Sequence, residues 1–134
     1  MSITRFHLAF FVTLALLGSA FAGAQGAKTT NDGVYTADQA ARGERVFKGK
    51  CGSCHYPTQF IGDDLFKAWA DKPLAELFNT VRESMPEDNP GTLPPQEYGD
   101  VITYFLQLNK FPTGAEELVA TPEAMGAITL ARPK

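Results

Sequence analysis

The chain has 134 residues, 44% of them hydrophobic and 20% charged, a composition that makes one ordinary globular domain and leaves little for a second. A formal net charge of −3 argues against a nucleic-acid partner, whose phosphates call for a basic surface. Only two cysteines are present, both within one short motif, so no structural disulfide is expected.

Residues 1–24 read as a signal peptide. Arg5 gives a short positive start, and residues 8–17 form an apolar run too short for a comfortable membrane span. Two small-x-small sites follow, Ala20-Phe21-Ala22 and Ala22-Gly23-Ala24. Cleavage is expected before Gln25, with a cut before Gly23 as the alternative and an uncleaved anchor as the competing reading. After cleavage no membrane span is expected, His55 is the single histidine left, and Met85 and Met125 are the remaining thioethers.

Residues 25–34 read as a flexible leader. Thr36-Ala37-Asp38-Gln39 matches a capping box, in which the Thr36 hydroxyl takes the Gln39 N–H and the Gln39 side chain reaches back. The helix it opens runs to about Lys48, with Ala40, Gly43 and Phe47 on one face. A glycine inside a helix costs about 1 kcal/mol relative to alanine, a cost that close approach of another backbone at Gly43 would offset.

Next comes Lys50-Cys51-Gly52-Ser53-Cys54-His55. This is the C-x-x-C-H attachment signature of a c-type haem. Each thiol can close on one vinyl group of the porphyrin, and His55 follows where its imidazole can bind the iron. A redox dithiol would need a strand–helix–strand context and would leave His55 unused. Zinc would need four ligands, and there is no second C-x-x-C.

Residues 56–62 form a loop, and Leu65 to Ala70 a short helix. Pro73 suits the first turn of another, in which Leu74, Leu77, Phe78 and Val81 recur at i, i+3, i+4 and i+7. One more turn reaches Met85, where Pro86 stops the helix. An irregular loop follows to Pro94. The last long helix is predicted from about Pro95 to Leu108, with Tyr98, Val101, Ile102, Phe105 and Leu108 along its apolar stripe. Asn109 is expected to take the left-handed turn that ends it. Residues 113–134 read as a mostly extended C-terminal tail with a short helical turn after Thr121. The fold class is all-α, with three to four helices that bury a modest core alone, so the haem-free chain is expected to be unstable.

Taken in this order, the residues from Thr36 to Leu108 resemble a class I c-type cytochrome, which sets a domain at residues 35–112. The resemblance implies a cytochrome c-like fold around one covalently attached haem c, with crossed N- and C-terminal helices. Gly43 would let the two backbones touch, and Phe47, Val101 and Tyr104 would fill the contact. The resemblance also implies that haem is attached outside the cytoplasmic membrane, hence a periplasmic or otherwise exported protein. It puts Met85-Pro86 at the family's second ligand position, so that His55 and Met85 hold the iron. Core filler is the competing reading of Met85, and Met125 is the other thioether. The run from Met85 through Asn89-Pro90-Gly91 to Tyr98, and on to Asn109-Lys110-Phe111-Pro112, further resembles small cytochromes linked to bacterial quinoprotein dehydrogenases. The family's Gly-Pro after the haem histidine is missing, since Ile61-Gly62 has no following proline, and the carbonyl that orients the His55 Nδ1 proton is left unassigned.

Trp69, Tyr56 and Arg82 are candidate partners for the haem propionates. Phe60, Leu65, Phe78 and Val81 are expected to line the pocket. Arg42, Arg45, Lys48 and Lys50 make a basic run, and Glu83, Glu87 and Asp88 an acidic cluster. A solvated face explains such charges more simply than partner steering. The implied function is one-electron transfer rather than enzymatic turnover, with redox partners such as a periplasmic dehydrogenase or a terminal oxidase. A gas-binding or sensor cytochrome with an open iron site is the alternative.

Overall fold

Chain order in the computed structural model, which describes residues 27–134, is β1 (Lys28–Thr29), α1 (Ala37–Val46), a π turn (Phe47–Cys51), α2 (Asp63–Trp69), α3 (Leu74–Ser84), α4 (Pro95–Leu108), α5 (Pro122–Gly126) and β2 (Ile128–Thr129). The expected signal peptide, with His7, lies outside the described residues. Apart from the two short strands the architecture is helical, as the apolar periodicity predicts. No helix among the described residues is long and apolar enough to cross a membrane.

The N- and C-terminal helices of the expected domain, α1 and α4, touch through Gly43. A Cβ added there would overlap the Asp100 carbonyl of α4 and come 3.1 Å from Cβ of Tyr104. The Phe47 ring fills the contact, its centroid 5.6 Å from Tyr104 and 6.0 Å from Phe105. An ion-pair network brackets the same contact. Arg42 Nε lies 3.0 Å from Asp100 Oδ2 and its Nη1 2.9 Å from Glu117 Oε1, while Gln96 donates to Asp100 Oδ1 at 2.8 Å. Asp100 is buried, so these partners supply the hydrogen bonds that water cannot. The bonds to Glu117 and Asp100 push the Arg42 guanidinium still further up from its ordinary value.

Three local expectations are corrected. The Thr36 hydroxyl accepts the Gln39 N–H at 3.1 Å, but the Gln39 side chain does not complete the capping box. It is fully buried and pairs with a peptide group of the tail, donating to the Leu118 carbonyl at 2.9 Å and accepting its N–H at 2.8 Å. A buried carboxamide needs both a donor and an acceptor, and the Leu118 peptide group offers both. At the end of α4, Asn109 has φ −91°, and the left-handed residue is Lys110, with φ 61°. The Asn109 carboxamide is held by three other bonds, described below. The leader, expected to be flexible, packs instead from Lys28 onward, against a tail that is mostly without regular structure and carries the expected short helical turn after Thr121 as α5. β1 pairs in parallel with β2, Lys28 opposite Ile128 and Thr29 opposite Thr129, and Thr30, Val34, Tyr35, Leu118, Met125, Ile128 and Leu130 are buried. Each segment offers the other the backbone partners and apolar cover that neither finds alone.

Candidate functional site

The π turn continues α1 into the cysteine motif. Gly52 N–H closes on the Phe47 carbonyl at 2.8 Å, and the Cys51 carbonyl then accepts both Cys54 N–H at 3.1 Å and His55 N–H at 2.9 Å. Single π turns inside helices recur at functional sites. Here the turn keeps Cys51, Cys54 and His55 within one helical turn, where i, i+3 and i+4 side chains are neighbours. The two cysteines are free of disulfide. Burial pushes the Cys51 thiol up from its ordinary value, the reverse of the depressed thiol that redox-active dithiols use.

These residues open on a cleft of about 690 Å³. The π turn and motif supply Phe47, Lys50, Cys51, Cys54 and His55. From α3 and the loop after it come Leu77, Thr80, Val81, Ser84, Met85 and Pro86. α4 supplies Val101 and Phe105, and Phe60 and Trp69 close the remainder. An imidazole, a thioether and two thiols thus share one largely apolar space. That donor set, in a space within the ordinary range for cofactor sites, fits a covalently attached haem. Among the described residues no cluster of three or more His, Cys, Asp or Glu could hold a bare metal ion.

Of the residues expected to line the pocket, Phe60 and Val81 do so, whereas Leu65 and Phe78 belong to the buried core and are absent from the cleft wall. The helical periodicity marks a whole apolar stripe, and the tertiary packing divides it between core and cleft. Of the expected propionate partners, Trp69 lines the cleft. Tyr56 is 72% exposed and off the cleft wall, and the Arg82 guanidinium sits 5.5 Å from the Phe78 ring centroid, also off the wall. Met125 is fully buried in α5 and does not reach the cleft. In the basic run, Arg42 is paired as above and Lys48 Nζ lies 2.7 Å from Glu44. Lys50, Glu87 and Asp88 line the cleft.

Several residues that hold the site carry no sequence motif. Asn109 Nδ2 donates to the Phe60 carbonyl at 2.7 Å and the Phe105 carbonyl at 2.8 Å, while its Oδ1 accepts Gly62 N–H at 2.8 Å. The loop behind His55 is thereby latched to the end of α4. Phe60, so fixed, stacks on Phe105 with centroids 4.1 Å apart and meets the His55 ring edge-on at 5.7 Å. At the other end of α4, Tyr98 Oη donates to the Met85 carbonyl at 2.7 Å.

The family model described as cytochrome c oxidase, cbb3-type, subunit III, matches residues 38–105. No curated protein and no solved structure matches the chain. The matched stretch runs from α1 through the cysteine motif and the cleft-lining part of α3 to Phe105, and so contains every residue assigned above to thiol, imidazole and thioether chemistry. The chain therefore belongs to the family of cytochrome c oxidase, cbb3-type, subunit III, and is a c-type cytochrome, an electron-transfer protein that carries haem c.

Proposed function

We propose that this chain is an exported, periplasmic one-electron carrier with His55 and Met85 as its axial ligands, Cys51 and Cys54 attaching one haem c. The observation that carries the reading is the presence of His55, Met85, Cys51 and Cys54 on one apolar cleft. Bound there, haem supplies a one-electron iron couple whose ferrous form an imidazole and a thioether favour. The chain's own residues do the rest. Phe47, Val81, Val101 and Phe105, apolar on the cleft wall, would keep water from the bound group and hold the local dielectric low. Trp69 and Lys50 are the N–H donors on the wall suited to the propionates. With His55 and Met85 both holding the iron, no substrate would reach the metal, and function would reduce to outer-sphere transfer. Redox partners of the dehydrogenase or terminal-oxidase type fit such a carrier, and the narrower sequence resemblance favours a dehydrogenase.

Optical spectra of the oxidised, reduced and carbon monoxide-treated reduced protein test the reading. The wild type should resist carbon monoxide, and Met85→Ala should bind it and show a lower reduction potential. A wild type that binds carbon monoxide readily, or a Met85→Ala protein with unchanged spectrum and potential, would favour the gas-binding alternative.

A further inference from the structure

We propose that Tyr98 is a positioning residue for Met85: its hydroxyl pins the backbone of the thioether ligand and sets how often the sulfur leaves the metal. The inference rests on the reading of Met85 as an axial ligand. Tyr98 stands in the first turn of α4 and is 1% exposed. Its hydroxyl donates 2.7 Å to the carbonyl of Met85, thirteen residues earlier, and accepts Leu93 N–H at 3.3 Å. The same Met85 carbonyl takes Gly91 N–H at 3.3 Å, and Met85 N–H closes the last turn of α3 on Val81 at 2.9 Å.

Both peptide groups of Met85 are therefore tied, one to α3 and one to α4. Between them residues 87–92 are exposed and carry no regular structure. Without the phenol, the carbonyl side of Met85 keeps only the long bond from Gly91, which belongs to the same exposed loop. A loop held from one end samples more positions of the sulfur, and the ligand is off the metal for a larger share of the time. A net hydrogen bond of this kind is worth about a factor of ten in an equilibrium, so the sulfur-off population should rise about tenfold.

Carbon monoxide reads that population, because it can bind the reduced holo-protein only when the thioether has left. Tyr98→Phe keeps the ring and removes the hydroxyl. Its reduced holo-protein should bind carbon monoxide about tenfold faster than wild type. Tyr35→Phe is the matched control. Tyr35 is equally buried, and its hydroxyl donates to the Phe111 carbonyl at 2.8 Å, away from the cleft. Its carbon monoxide rate should equal that of wild type, as would that of Tyr98→Phe if the role of Tyr98 were merely structural. Equal rates in Tyr98→Phe, Tyr35→Phe and wild type overturn the proposal, provided that Met85→Ala still binds carbon monoxide rapidly. If Met85→Ala itself leaves spectrum and rate unchanged, the ligand reading has failed, and the proposal with it.

Discussion

Replacing Gly43 by alanine tests the contact between α1 and α4, both of which line the cleft or lead into it. In an isolated helix the change would stabilise by about 1 kcal/mol. Here the added methyl overlaps the Asp100 carbonyl, a backbone group that also accepts the Thr103 hydroxyl at 2.7 Å and whose side chain is tied to Arg42. Neither helix can yield locally, so the cost lies at the upper end of the ~1–3 kcal/mol seen for overpacked cores. The net expectation is a loss of about 2 kcal/mol, or roughly 10 °C in Tm for a domain of this size. Thermal melts and urea titrations of the holo-protein measure it. Gly49→Ala is the comparison, since an added Cβ there meets nothing within 4 Å and the same propensity gain is unopposed. If Gly43→Ala melts at or above Gly49→Ala, the two backbones are not in contact and the reasoning is wrong.

Asn109→Ala leaves the Phe60 and Phe105 carbonyls and the Gly62 N–H without their side-chain partner. A loss of about 2–3 kcal/mol is expected, seen as a lower urea midpoint together with faster hydrogen exchange at Gly62; an unchanged midpoint would remove the latch from the account. Burial raises the Tyr35 phenol above its ordinary value of 10.0. The unfolded chain therefore loses that proton first, and the Tyr35 contribution to stability is intact below pH 10 and declines as pH climbs from there toward the folded value. Tyr35→Phe should cost about 1 kcal/mol at neutral pH but decline less steeply above pH 10, and parallel urea-midpoint curves for the two proteins would contradict this.

Much of the site was legible before any coordinates. Cys51, Cys54 and His55 announce themselves because C-x-x-C-H is the attachment signature of a c-type haem, whatever surrounds it. The helices α3 and α4 follow from local periodicity, and α3 also from Pro73 and Pro86, which act on their own neighbours. Gly43 stood out as an unfavourable residue whose cost close approach of another backbone would offset, and the Asp100 carbonyl makes that approach. Leu65 and Phe78 were assigned to the pocket because a helical stripe does not say which of its members face a cofactor and which face the core.

The sequence alone named the candidate chemistry and placed the main helices, since a thiol pair, an imidazole and an apolar stripe are properties of neighbours along the chain. Tertiary structure decided the pairings made across long separations: Gln39 with Leu118, Arg42 with Glu117, Tyr98 with Met85, Asn109 with Phe60, and β1 with β2. None of these carries a motif, because a carboxamide or a hydroxyl binds whatever complementary group the fold brings within about 3 Å, and only the packed chain settles which group that is.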